Sequence, residues 1–152
     1  MSAKQGGCMC DGVRYEVVGE PLEKNVCHCP WCKKLSGAVF TSQMMVLKEN
    51  YKIIKGTPKH FSIEHKGVSY GNAFCPDCGA TVYRSTGSFP EVLVVKLGTL
   101  DKLEDQTWAK PDREIYVSER VGWVPRFVEE GKEVWTLTNE IPGYGKVDIQ
   151  ID

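Results

Sequence analysis

The chain has 152 residues, of which 41% are hydrophobic and 26% charged, a composition that favours one globular domain with a sizeable core. The formal net charge of −1 argues against a nucleic-acid binder, which usually carries a marked basic excess. No run approaches the ~20 apolar residues that span a bilayer, and residues 1–7 lack the apolar stretch of a signal peptide. We therefore expect a cytoplasmic protein that binds neither nucleic acid nor a membrane.

The first motif along the chain is the pair Cys8 and Cys10, which two glycines precede. In an extended strand, residues two apart point to the same face, so both thiols could bind one metal ion. Residues 13–17 then alternate between apolar and polar, which predicts a half-buried strand. The pair supplies two candidate metal ligands at the start of the chain.

Three thiols follow within six residues, at Cys27, Cys29 and Cys32. Thiolates are the soft ligands that Zn²⁺ prefers, and zinc usually takes four ligands in a tetrahedron. A catalytic zinc site keeps one position open, whereas a structural site is closed by a further ligand, and the spacing alone favours neither. If this stretch is extended, His28 points away from the thiols, and we expect it to be a packing or surface residue.

The segment after the triplet predicts one helical turn and then a series of strands. Pro30 suits the first position of a helix and Gly37 suits its end, so the helix would direct its N–H groups towards the sulfurs. A loop is predicted at residues 108–111, and a loop or tail at residues 141–145. Strands are predicted at residues 39–47, 51–54, 59–64, 68–74, 80–84, 92–97 and 114–118, with a hairpin turn at Lys66-Gly67. The prediction is a mainly β fold that zinc stabilises, with few short helical turns.

Cys75 and Cys78 have the spacing of a zinc knuckle, and Gly79 permits the left-handed conformation that such a turn tends to need. The cysteine total of seven is odd, which excludes complete internal disulfide pairing and favours metal binding.

The seven thiols can be divided in two ways. The outer pairs could form one Cys₄ site and leave the triplet as a second, open site. Alternatively, Cys29 and Cys32 could join Cys75 and Cys78 as a zinc ribbon, which would leave three thiols without a role. His60 and His65 are further possible ligands that the spacing does not single out.

Three cysteine motifs together resemble the glutathione-dependent formaldehyde-activating enzyme family, also called the centromere protein V/GFA family. They are Gly6-Gly7-Cys8-Met9-Cys10, Cys27-His28-Cys29-Pro30-Trp31-Cys32 and Phe74-Cys75-Pro76-Asp77-Cys78-Gly79. The resemblance covers about residues 5–125 of a single domain that spans residues 1–152, so residues 126–152 form a C-terminal extension. Two positions depart from the family pattern: Asp11 stands where glycine is usual, and Glu114 where a histidine is common.

The resemblance implies an Mss4-like β fold (a β-tent) with two zinc ions per chain. It assigns a structural role to the first zinc. It assigns the chemistry to the second zinc, which has an open position. The implied activity is that of a carbon–sulfur lyase run towards condensation, in which glutathione and formaldehyde combine to S-hydroxymethylglutathione. The structural ligands would be Cys8, Cys10, Cys75 and Cys78, and the ligands of the catalytic zinc Cys27, Cys29 and Cys32.

The expected partner is a small thiol such as glutathione, and the aldehyde could lie against Trp31, Ser36 or Phe40, which are near the triplet in sequence. One alternative is an enzyme of the same fold that acts on another small electrophile or an imine. Another is a non-catalytic Mss4-like zinc module that binds a protein partner, for which the triplet would be closed or purely structural.

Overall fold

The computed structural model describes residues 3–103, 106–134, 140–141 and 145–146. Short strands dominate it, as expected for a chain rich in alternating apolar and polar residues. Helix α1 spans Pro30–Ser36 and helix α2 spans Gln106–Ala109, and 3-10 turns occupy Lys48–Asn50, Leu97–Thr99 and Val117–Glu119. The strands are β1 (Ala3–Gly7), β2 (Arg14–Val18), β3 (Glu23–Cys27), β4 (Thr41–Leu47), β5 (Tyr51–Lys55), β6 (Lys59–His65), β7 (Val68–Phe74), β8 (Thr81–Thr86), β9 (Val92–Lys96), β10 (Arg113–Ile115), β11 (Glu133–Val134), β12 (Glu140–Ile141) and β13 (Gly145–Lys146).

The strands form a small sheet, a large sheet and a two-stranded ladder. The small sheet has the order β1-β2-β5 and is antiparallel throughout. The large sheet has the order β11-β10-β3-β4-β9-β8-β7-β6, in which β10 pairs in parallel with both β11 and β3. The ladder pairs β12 with β13. The predicted mainly β fold is confirmed.

The main core lies between the small sheet and one face of the large sheet. Tyr15 and Val17, two apart on β2, point into this core and meet Met44, Val82 and Val95. Strand β9 is buried on both faces, as its unbroken apolar run predicts. Leu93 and Val95 belong to the main core, whereas Val92 and Val94 belong to a second cluster with Met45 and Phe89. Among the described residues, no helix has the length and apolarity needed to cross a membrane.

Glycine and proline positions in the sequence predicted several turns and helix ends correctly. Strands β6 and β7 form the predicted hairpin, with Lys66 at φ 50° and Gly67 at φ 77° in its turn. Helix α1 begins at Pro30 and is followed by Gly37 in the left-handed conformation, with φ 69°. Gly79 also has a positive φ, 74°, directly after the knuckle.

The backbone differs from the sequence predictions at the first cysteine pair and after β9. Cys10 lies in a turn rather than in an extended strand, because Asp11 takes a left-handed φ of 62°. The loop predicted at 108–111 is partly helical, since α2 includes Trp108, whose side chain is only 2% exposed.

The strand predicted at 114–118 ends at Ile115 instead. Tyr116 has φ 56°, which breaks the extended conformation and begins a 3-10 turn. The prediction of a loop or tail at 141–145 is also wrong at its two ends, where β12 and β13 pair with each other, and residues 142–144 lie outside the described residues.

Candidate metal centres

Four cysteines from distant parts of the chain converge at one end of the main core. The turn after β1 brings Cys8 and Cys10 together, and the knuckle between β7 and β8 brings Cys75 and Cys78. All four sulfurs lie within 4.8 Å of one another, and the Sγ atom of Cys10 is 3.6 Å from that of Cys8 and 3.6 Å from that of Cys75. The backbone N–H of Val13 donates to the Sγ of Cys8 at 3.2 Å. A tetrahedral thiolate site needs such a set of converging soft ligands, and this group could hold a metal ion.

The other three cysteines form a separate group at the end of β3 and the start of α1. The Sγ atoms of Cys27, Cys29 and Cys32 also lie within 4.8 Å of one another, and each residue is at most 4% exposed. The backbone N–H of Cys32 donates to the Sγ of Cys29 at 3.3 Å, so the helix start faces the sulfurs as predicted. This group could also hold a metal ion. The structure therefore groups the thiols as four and three, and the ribbon that combines Cys29 and Cys32 with the knuckle is not formed.

None of the three histidines belongs to either cysteine group. His28 is fully buried and its Nε2 lies 2.7 Å from the Oε1 of Glu114, which agrees with the prediction that it packs rather than binds metal. His60 Nε2 is 2.9 Å from the hydroxyl of Tyr83. His65 packs edge-on against Trp31, with ring centroids 5.5 Å apart.

Glu114 joins the triplet segment to the chain that follows β10. Its carboxylate accepts hydrogen bonds from His28, from the Nη1 of Arg120 at 3.2 Å and from the backbone N–H of Phe127 at 3.1 Å. Burial raises the pKa of Glu114, but these hydrogen bonds outweigh burial and hold the pKa below its usual value. The backbone N–H of His28 also donates to the carbonyl of Ile115, at 3.1 Å. His28, between Cys27 and Cys29, is therefore held by hydrogen bonds of both its backbone and its side chain.

Two buried cations lie beside the triplet, and sequence reasoning missed both. Arg84 and Lys96 are each 9% exposed. The Nη1 of Arg84 is 3.9 Å from the Sγ of Cys32, and the Nζ of Lys96 donates to the Oε1 of Gln43 at 2.9 Å. Burial lowers the pKa of Lys96, while the Cys32 thiolate acts in the opposite direction. One signal was available in the sequence, because a lysine in an otherwise apolar buried strand needs a partner.

A row of polar side chains crosses the large sheet beneath the triplet. Asn25 on β3, Gln43 on β4 and Lys96 on β9 are neighbours in register. Gln43 donates to the Oδ1 of Asn25 at 3.0 Å, and its own Oε1 also accepts from Thr41 at 3.2 Å. Asn25 in turn donates to Glu23 at 2.8 Å. The row is hydrogen-bonded along its length, so it holds the base of the site in one arrangement.

A pocket opens directly beside the three sulfurs. Its walls include Trp31, which stacks on Tyr70 with an angle of 10° between the rings and 6.3 Å between their centroids. The other two expected neighbours of the triplet do not line this pocket. Ser36 donates its hydroxyl to the carbonyl of Cys32 at 2.8 Å, and Phe40 packs against His28 and Phe127.

Comparisons with known proteins agree with this picture. The sequence profile described as "Glutathione-dependent formaldehyde-activating enzyme" matches residues 3–119. The fold is similar to the crystal structure of a Rhodobacter sphaeroides protein, a structural genomics target, with a TM-score of 0.54 and 19% identity. That alignment covers 68% of this chain and 93% of the other. A search of curated proteins found no match.

Proposed function

Because the chain belongs to the glutathione-dependent formaldehyde-activating enzyme family, we propose that it is a carbon–sulfur lyase that acts on adducts of small thiols. Glutathione is the first candidate thiol and formaldehyde the first candidate carbonyl compound. The observation that carries the proposal is the triplet itself. Three buried thiols converge beside a pocket, and none of the described histidine, aspartate or glutamate side chains joins them.

We infer two zinc ions per chain. The four-cysteine group (Cys8, Cys10, Cys75 and Cys78) would hold a structural zinc, and the triplet (Cys27, Cys29 and Cys32) a second zinc with a position for an external ligand. A zinc ion bound there would act as a Lewis acid and favour the thiolate form of a thiol that it binds. The soft donor set of the triplet fits zinc, and also fits a thiol as a fourth ligand.

The charges around the triplet support an anionic fourth ligand. Three thiolates and one Zn²⁺ carry a formal charge of −1, and the basic side chains of Arg84 and Lys96 lie close to them. With both basic groups protonated the site would carry a net charge of +1, which a thiolate from the substrate would balance. Buried charges need such compensation, since the interior solvates them poorly. The two cations therefore favour a thiolate over a neutral ligand.

In the forward reaction, the sulfur of the thiolate forms a bond to the carbonyl carbon. The π electron pair of the C=O bond moves to the oxygen, which then takes a proton from water, and the proton that the thiol released on forming the thiolate converts the resulting hydroxide back to water. The reverse reaction breaks the carbon–sulfur bond and returns the thiol and the aldehyde. The chain contributes the rigid triplet, the wall formed by Trp31 and Tyr70, and the two buried cations.

The proposal is tested by loading the protein with Co²⁺, whose thiolate charge-transfer bands report sulfur ligation, and titrating it with glutathione. We expect the bands to change on glutathione addition in the wild type and in Ser36→Ala, because the Ser36 hydroxyl bonds backbone groups of Cys32 and Ala38 and does not line the pocket. The change should disappear in Cys29→Ser. Adduct formation with formaldehyde, followed by NMR, should be accelerated by the first two proteins and not by the third.

No spectral change at millimolar glutathione and no acceleration would refute the glutathione reaction. If another thiol or an imine then produced the change, the site would belong to an enzyme with a different substrate. If no thiol or imine changed the Co²⁺ spectrum, the result would favour the non-catalytic zinc module that binds a protein partner.

A further inference from the structure

The pocket beside the triplet has an apolar wall that formaldehyde does not need. Six side chains with apolar surface line it: Trp31, Met45, Phe89, Val94, Ile115 and Tyr116. Its volume is about 80 Å³. A single water molecule needs only about 10–15 Å³ of such a cavity. Formaldehyde has a single carbon and gains little from an apolar wall, whereas a larger apolar group would be stabilised by contact with it.

Arg84 provides a hydrogen-bond donor in this wall. It lines the pocket and stacks over Tyr70, with its Cζ 5.1 Å from the ring centroid. Its Nε is buried and has no hydrogen-bond partner within the part of the chain that the structure describes. A buried N–H group without an acceptor is costly, and native structures usually satisfy such groups. Because this Nε has almost no accessible surface, the guanidinium must turn slightly before the oxygen of a ligand in the pocket can accept from it.

We propose that the pocket binds carbonyl compounds that carry an aromatic or branched aliphatic group, and that Arg84 donates a hydrogen bond to the carbonyl oxygen. The apolar group lies against Phe89 and Val94, and the carbonyl carbon faces the three sulfurs. The inference rests on the proposed function for the thiol that adds to this carbon. During that addition negative charge develops on the oxygen, and a guanidinium stabilises it by donating hydrogen bonds without giving up its proton.

Binding can be measured apart from catalysis by using primary amides, whose carbonyl groups do not react with thiols. The zinc-loaded protein, without thiol, is titrated calorimetrically with benzamide, isobutyramide and formamide. We expect benzamide and isobutyramide to bind at least tenfold more tightly than formamide, because only they fill the apolar wall.

Two variants locate the binding. Arg84→Met removes the donor while keeping an apolar side chain of similar length, and should weaken benzamide binding at least tenfold. Thr86 is half-buried and lines the pocket, so Thr86→Phe narrows the pocket and should also weaken benzamide binding at least tenfold. Ile54→Phe is the matched control, since Ile54 is 43% exposed on the small sheet and does not line the pocket. It should bind benzamide as the wild type does. Zinc content and circular dichroism confirm that each variant is folded.

Equal affinity for benzamide and formamide would overturn the inference. So would benzamide binding that neither Arg84→Met nor Thr86→Phe weakens while both remain folded, because the amide would then bind elsewhere. If benzamide binds as expected but no thiol changes the Co²⁺ spectrum, the ligand class of the pocket stands and the proposed thiol addition fails. If thiols change the spectrum but benzamide does not bind, the thiol addition stands and this inference fails.

Discussion

The buried carboxylate of Glu114 offers a sharp test of how the triplet segment is held. Glu114→Gln preserves the size of the side chain but removes its charge and replaces one acceptor oxygen with an NH₂ group. The carboxylate accepts from three donors, on His28, Arg120 and Phe127, and an amide cannot accept from all of them. Glu114 itself is fully buried, and disrupting a buried network of charged hydrogen bonds costs about 3–5 kcal/mol. We expect the free energy of unfolding to fall by this amount.

The assay is guanidinium unfolding of the zinc-loaded protein at a fixed free zinc concentration, together with thermal unfolding. For a chain of this size, the expected loss lowers the melting temperature by roughly 6–20 °C. The control is Glu129→Gln, because the carboxylate of Glu129 is 74% exposed and pairs with Lys132 at 3.2 Å. It should change stability by less than about 0.5 kcal/mol. If Glu114→Gln changed stability by less than 1 kcal/mol, the reasoning that these charged hydrogen bonds fix the segment would be wrong.

Three further predictions concern the four-cysteine group, a tight turn and a buried tyrosine. Zinc in small peptides contributes on the order of 10 kcal/mol to folding, so Cys78→Ser should give unfolded or insoluble protein. Cys29→Ser should instead remain largely folded by circular dichroism, and equal unfolding of both variants would contradict the different roles of the two groups. Gly56→Ala should lose more than about 2 kcal/mol in denaturant unfolding, because φ is 73° and a Cβ would lie 1.9 Å from the carbonyl oxygen of Gly12. Burial raises the pKa of Tyr15 from 10.0 to about 12. The contribution of this pKa difference to the free energy of unfolding is therefore fully present below pH 10 and is lost as the pH rises through 12. Between pH 10 and 12 the free energy of unfolding should therefore fall by up to about 2.7 kcal/mol more in the wild type than in Tyr15→Phe. An equal fall in both proteins would contradict the raised pKa of Tyr15.

Much of the fold was predictable from local sequence because local backbone rules decide it. Pro30 and Gly37 define the helix, and Lys66 and Gly67 define the hairpin. The division of the thiols into four and three could be proposed from spacing, since neighbouring cysteines must turn towards a common point. The mainly β class followed from strands of alternating pattern.

The surroundings of the triplet could not be predicted in this way, because long-range strand order decides them. Lys96 reaches the site only because β9 pairs with β4, which places it opposite Gln43. Arg84 reaches Cys32 across 52 positions of the chain. The end of the strand at Ile115 depends on the left-handed conformation of Tyr116, a residue type that carries no local signal for it. The residues that give the site its charge and shape are therefore those that sequence reasoning missed.

The central claim is that the triplet holds a zinc ion with one position for an external thiol. X-ray absorption at the zinc edge tests it directly by counting sulfur ligands. Without thiol, seven cysteine sulfurs shared between two zinc ions give an average of 3.5 sulfurs per zinc, with an oxygen or nitrogen ligand making up the difference. With saturating glutathione, the average should rise to 4. An average that stays at 3.5 with glutathione present, or that is already 4 without it, would contradict the claim.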